Sequence, residues 1–204
     1  MNRVLVTGAN GFIGRHVTRL LVTRGWQVRG AVRSELALLN LEEGVEGVVV
    51  GDINAGTDWT TALREVDVVV HLAARVHVLH ENDQTSALAS YREVNVDGTR
   101  RLLEGCIKTG VRRLVFMSSV KVCGEGNSTG APYREDDPYA PQGPYGISKA
   151  EAEKILLDAR HQIEVVILRP PMVYGPGVKA NFERLVQGIV SGVPWPLGSV
   201  RNRR

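Results

Sequence analysis

Short apolar runs alternate along this chain with longer segments whose apolar positions recur three and four residues apart. "RVLV" near the amino terminus is continuous and β-branched, as a strand buried on both faces would be. "FIGRHVTRLLVTRG" follows, with Phe12, Ile13, Val17, Leu20 and Leu21 at helical spacing and Gly25 after the end. Read onward, the pattern predicts strands at about 3–7, 27–33, 46–50, 67–72, 112–118 and 163–169. It predicts helices at about 12–24, 58–64, 85–109, 144–160 and 180–191. Strand and helix in alternation imply βαβ crossovers, hence an α/β fold with a doubly wound parallel sheet. In such sheets a ligand lies beyond the carboxyl ends of the strands.

The junction of the first strand and helix reads "TGANGFIG", with Gly8, Gly11 and Gly14 three apart. Glycine permits the tight turn and close approach of a ligand to the backbone, and a helix amino terminus favours an anion. Inside a βαβ unit the natural occupant is a dinucleotide pyrophosphate; a bare connecting turn is the alternative.

Composition narrows the setting. A chain of 204 residues with 43% hydrophobic content can bury one sizeable core. The net charge of +3 resides in Arg201, Arg203 and Arg204, without which basic and acidic residues are equal in number, so nucleic acid is not an expected partner. Apolar runs are too short to span a bilayer, and a strand starting at Arg3 leaves no room for a signal peptide. Cys106 and Cys123 form no disulfide framework or metal-ligand spacing, and a cytoplasmic location is expected. The loop around His77, His80 and Glu81 reads as solvated, and no metal is expected.

"YGISK" sets Tyr145 and Lys149 four apart, on one face of a predicted helix, and "VFMSSVKVCG" ends a strand with Ser118 and Ser119. With "GDI" (51–53), "HLAA" (71–74), "NVDGT" (95–99) and "RPPMVYGPG" (169–177), these segments resemble, in order and over nearly the whole chain, the extended short-chain dehydrogenases/reductases of the nucleotide-sugar epimerase, dehydratase and reductase group. The resemblance implies a Rossmann-type dinucleotide-binding domain over 1–170 and the start of a smaller substrate-binding region over 171–204. Members of the group run about a hundred residues longer. A chain ending at Arg204 is therefore expected to be a fragment, one that retains nucleotide binding but turns over sugar poorly.

Carried over residue by residue, the resemblance makes Tyr145 the general acid/base. It makes Lys149 the ligand of the nicotinamide ribose, with a charge that lowers the tyrosine pKa. Ser119 would bond the reacting oxygen, while Ser118 packs or bonds backbone. Gly8, Asn10, Gly11, Phe12, Ile13, Gly14, Arg33, Asp52, Ile53, Leu72, Ala73, Ala74, Asn95, Tyr145, Lys149, Pro170 and Met172 would bind the cofactor. For Asn95 an exposed helical position is the alternative. Lys121, Lys179, Asn181 and Arg204 would meet the substrate.

The end of the second strand, "VRGAVRS", carries no carboxylate to bind a ribose hydroxyl, and Arg33 suits a 2′-phosphate, so NADP(H) is favoured over NAD(H). Arg29 is a second candidate. Val120 and Lys121 stand where the dehydratases carry an Asp-Glu pair, which disfavours dehydration. Cys123 replaces a usual tyrosine and reads as packed. Among relatives the closest likeness is to UDP-4-keto-sugar reductases of polysaccharide precursor synthesis. A UDP-sugar 4-epimerase is the alternative, and a non-catalytic dinucleotide-binding module the alternative from another class. The resemblance also implies a homodimer through the helices at about 85–109 and 144–160.

Overall fold

The computed structural model describes residues 3–76, 84–126, 132–178 and 180–192. Six parallel strands, β1 (Arg3–Thr7), β2 (Gln27–Val32), β3 (Val45–Val49), β4 (Val68–His71), β5 (Arg113–Met117) and β6 (Glu164–Leu168), form one sheet in the order β3-β2-β1-β4-β5-β6. Strand order reverses between β1 and β4, and there the carboxyl ends Thr7 and His71 are register partners. That crevice is where such sheets take ligands.

The helices are α1 (Phe12–Thr23), α2 (Glu35–Leu38), α3 (Gln84–Arg92), α4 (Gly98–Thr109), α5 (Gly143–Asp158) and α6 (Ala180–Val190). Two buried clusters flank the sheet. One gathers Val4, Val6, Val28 and Val68 with Val17 and Leu21 of α1. The larger packs Leu5, Val69, Leu114 and Phe116 against Leu102 and Cys106 of α4 and Leu156 of α5. The alternating inward residues of each central strand thus face opposite clusters, which is why β1 and β4 read as unbroken apolar runs. β3 and β6 lie at the sheet edges, and neither has a fully buried residue. No helix among the described residues is long and apolar enough to cross a membrane.

Three expectations are corrected. The helix expected at 58–64 is a series of turns. Trp59, Ala62 and Leu63 are buried as in a helix, but the carbonyls of Thr61, Ala62 and Arg64 accept from the Arg29 guanidinium, at 3.2, 2.9 and 2.9 Å. That side chain also pairs with Glu46 at 3.0 Å and is itself buried. Arg29 is therefore a structural plug for orphan carbonyls on the inner side of β2, and no candidate for a cofactor phosphate. The helix expected at 85–109 is interrupted by a π-turn over Glu93–Asp97, which joins α3 to α4. α2, a single turn, was not expected.

Candidate functional site

The glycine turn joins β1 to α1 with little room to spare. Gly8 has φ +65°, and a Cβ there would stand 3.0 Å from the Ala73 nitrogen. A Cβ on Gly14 would strike the Gly8 carbonyl outright. Gly11, the residue before α1, offers no side-chain cap, so the amides of Phe12, Ile13 and Gly14 open the helix without intrahelical partners. This is an anion cradle in shape and charge, which fits a dinucleotide pyrophosphate. His16, one turn along α1, is hydrogen-bonded to the Pro176 carbonyl at 2.9 Å, which brings the segment after β6 beside the cradle. Asn10 is half-buried and Met172 exposed. At the far side, Arg33 after β2 and Asp52 after β3 form an ion pair at 2.9 Å, both largely exposed.

Thr7 ties the cradle to β4. Its Oγ1 accepts from the amides of Leu72 and Ala73, both at 3.1 Å, and so gives its own proton to His71 Nδ1 at 2.7 Å. His71 must then carry its proton on Nε2, which donates to Thr99 Oγ1 of α4 at 3.1 Å. Burial, and secondarily the charge of Lys149, push the imidazole down to about 3, so it stays neutral at any physiological pH.

Asn95, in the π-turn, is buried, and the exposed alternative falls away. Its Oδ1 accepts from the Arg75 amide at 2.8 Å; its Nδ2 donates to the Arg75 carbonyl and to Ser148 Oγ, both at 3.0 Å. Ser148 Oγ donates in turn to the Tyr145 carbonyl at 2.9 Å. One amide thus fixes the chain after β4 and the first turns of α5 in a common frame. Ile53 follows the same logic from below: a Cβ on Gly98 would collide with its side chain, so α4 can pass this close only at glycine.

Tyr145 and Ser119 meet beyond the carboxyl end of β5. Ser119 caps the 3₁₀ turn Val120–Val122 by accepting from the Lys121 amide at 3.3 Å. Burial, the larger influence, pushes the Tyr145 phenol pKa up, and the nearby Ser119 hydroxyl works against it. Gly146 makes the meeting possible, since a Cβ there would lie 2.9 Å from the Lys121 carbonyl. Pro170 receives the Val120 amide at 3.0 Å, docking the segment after β6 on the serine turn. Ser118 is buried, its amide bonded to the Leu168 carbonyl and its hydroxyl without a partner.

Lys149, one turn beyond Tyr145, is buried with Nζ 4.0 Å from the centre of the Phe116 ring. Burial pushes it down to about 7, while the charge of Glu153 works in the opposite direction. Burial, Ser119 and Tyr91, in that order, bear on the Tyr145 phenol. Lys121 is paired with Glu125 at 3.0 Å. Lys179, the Asn181 side chain, Arg204, His77, His80 and Glu81 lie outside the described residues.

Sequence reasoning missed two groups, His71 and Glu153. His71 was visible as a polar residue closing an apolar strand. Glu153 sits one turn past Lys149, fully buried, where Arg169 grips it at 2.7 Å and the Tyr139 hydroxyl donates to it at 2.8 Å. Spacing alone could have placed Glu153 on the buried face of α5, since it continues the Tyr145–Lys149 row. Cys123 is half-buried, 3.8 Å from the Arg169 guanidinium, and burial raises its thiol pKa.

Comparison with known proteins agrees with this geometry. A UDP-glucose 4-epimerase of Vibrio cholerae is 44% identical over 98% of this chain and 61% of its own length. A solved UDP-glucuronic acid 4-epimerase of Bacillus cereus in complex with NAD superposes with a TM-score of 0.76 at 29% identity, covering 94% of this chain and 64% of that one. MoeE5, solved with UDP-glucuronic acid and NAD, gives 0.78 at 33% identity, covering 95% and 63%. The chain thus spans about three-fifths of these relatives. The profile of the NAD dependent epimerase/dehydratase family matches residues 4–198, and the chain belongs to that family.

Proposed function

We propose that this chain is the dinucleotide-binding part of a nucleotide-sugar 4-epimerase, with Tyr145 as the acid/base at the sugar O4. The observation that carries the reading is the placement of Tyr145 beside Ser119, close enough for the serine to lower the phenol pKa, at the same carboxyl edge of the sheet as the glycine cradle. The Vibrio cholerae relative supports epimerisation over other chemistry of this family.

Phe12, Ile13 and Gly14 would hold the pyrophosphate through their amides, and Lys149 the nicotinamide ribose. The nicotinamide supplies hydride acceptance and return. The chain's own residues manage the proton. Tyr145 takes it from the sugar hydroxyl and gives it back, and Ser119 donates to the same oxygen or to the phenolate. Sugar oxygen, Ser119 and Tyr145 then form one short relay, screened from water by the packing that raises the phenol pKa. A positive charge arriving beside Tyr145 would favour the phenolate; Lys149, near neutrality in its apolar seat, is the group able to supply it.

A second reading, reduction of a UDP-4-keto sugar by a dissociable NADPH, is favoured by Arg33. An exposed ion pair is worth only about 0–1 kcal/mol, so Asp52 does not commit Arg33 against a 2′-phosphate. NADP(H) is accordingly the preferred cofactor in our reading. With protein at substrate concentration, NMR of UDP-glucose with NADP⁺, and in parallel with NAD⁺, should reveal UDP-galactose. If the chain binds cofactor and no interconversion occurs, while NADPH is consumed with a UDP-4-keto sugar, the reductase reading replaces it.

A further inference from the structure

The loop after β4 reaches Tyr145 through one aromatic residue. Tyr91, in the last turn of α3, is buried at 4% exposure. Its ring meets the Tyr145 ring edge to face, with centroids 6.2 Å apart and planes at 67°. The Arg75 guanidinium carbon lies 5.4 Å from the Tyr91 ring centre, and the Tyr91 hydroxyl donates to the Val76 carbonyl at 3.2 Å. Tyr91 is therefore held by two consecutive residues of the loop that begins at Leu72 and Ala73, the pair bonded to Thr7 of the cradle. The neighbouring residue Arg92 grips Glu151 of α5 through two nitrogens, at 2.6 and 2.9 Å, which locks α3 against the helix that carries Tyr145.

We propose that Tyr91 is a positioning residue for Tyr145. Its ring fixes one edge of the phenol and ties the phenol's placement to the Arg75–Val76 segment above the cradle. The proposal rests on the reading of Tyr145 as the acid/base. An edge-to-face pair restricts rotation of both rings and is worth more than the area it buries. A leucine at 91 would leave a gap beside the phenol and free it to turn from the Ser119 hydroxyl. Among the described residues, Ser119 from the turn after β5 and Tyr91 from α3 bear on Tyr145. Arg75 lies behind Tyr91, and Lys149 is one turn along α5. Of these, Tyr91 and burial raise the phenol pKa and Ser119 lowers it.

The test needs no turnover. In the 204-residue chain labelled with ¹³Cζ-tyrosine, Tyr145→Phe assigns the Tyr145 resonance. Y91L should shift the Tyr145 resonance and lower its titration midpoint by about half a pH unit, as expected when burial is relieved. Tyr133, Tyr139 and Tyr174 should be unmoved, and Y91F, which keeps the ring, should leave Tyr145 nearly as in the wild type. A folded Y91L chain whose Tyr145 midpoint and shift match the wild type overturns the proposal. If Y91L does not fold, the wild-type chain decides. Cross-peaks between the Tyr91 and Tyr145 rings support the proposal, and their absence overturns it. Full epimerisation by Y145F would remove the acid/base reading and leave the titration result standing, so the two failures are distinguishable.

Discussion

Between pH 7 and 10.5 the unfolded chain keeps a proton on Lys149 that the folded chain has given up, because burial has brought that lysine down to about 7. A depressed lysine means that the unfolded state binds more protons across this window, so stability contributed at this site rises with pH. Lys149→Met removes the penalty. It should raise Tm at pH 7 by an amount on the order of a few kcal/mol of stability and flatten the rise of Tm towards pH 10. A variant no more stable than wild type would show that the amine keeps its charge solvated. His71 acts at the other end of the scale. Its folded value near 3 lies below the ordinary 6.5, so stability is lost as pH falls from about 6.5 towards 3. Denaturant midpoints at pH 6 and pH 4 should therefore diverge more in wild type than in His71→Gln, which starts lower because its buried bonds to Thr7 and Thr99 are broken. Arg29 of β2 and Arg33 just after it separate in the same way. Arg29→Met strips the carbonyls of Thr61, Ala62 and Arg64 of their shared donor and should cost about 2–3 kcal/mol with no change in cofactor preference. Arg33→Ala should leave Tm within about 0.5 kcal/mol of wild type and weaken NADP⁺ binding relative to NAD⁺, read by calorimetric titration.

The strands were legible because each central one is apolar on both faces, and the six expected ranges match the observed ones to within two residues at each end. Nothing local overrides that pattern in β1, β4 or β5. The turns at 60–65 were not legible, because what replaces helical hydrogen bonds there is a guanidinium from Arg29, some 30 residues away in sequence. The π-turn was hidden for a related reason. "YREVNVDGT" reads as continuous helix, and the extra residue in the turn is accommodated by tertiary bonds from Asn95 to Arg75 and Ser148. The serine, tyrosine and lysine were readable from "SSVKV" and "YGISK", whereas the buried carboxylate of Glu153 behind them looked like one more charge on a helix. A prediction belongs to the π-turn. Asn95→Ala leaves the Arg75 amide and carbonyl and the Ser148 hydroxyl short of partners, so it should cost about 2–4 kcal/mol. It should also weaken NADH binding more than AMP binding, because the loop it releases lies towards Tyr145. Equal weakening of both ligands, in fluorescence titrations, would assign Asn95 to the fold alone.

At the scale of the whole molecule, the two halves of the chemistry are unequally represented. The cradle, the serine turn and α5 are packed into the sheet and its two clusters. Beyond β6, by contrast, Met172, Val173 and Tyr174 are exposed, as are Val186, Ile189 and Val190 of α6. Relatives aligned with nearly all of this chain have more than a third of their own length outside the aligned part. In enzymes generally, contacts to parts of the substrate far from the reacting bond are used to orient it, so losing them lowers kcat as well as affinity. On the proposed function, cofactor contacts would depend on residues inside the packed sheet, and contacts to a sugar and its diphosphate on the less covered side. The 204 residues should therefore bind NADH or NADPH, seen as a change in nicotinamide fluorescence, with Gly14→Val abolishing it because no side chain fits against the Gly8 carbonyl. Steady-state sugar turnover by the same preparation should fall on the order of 10²-fold or more below that of a full-length relative such as the Vibrio cholerae enzyme. Comparable turnover would mean that the residues up to Arg204 already orient the sugar, and that the exposed apolar surface after β6 is no part of substrate binding.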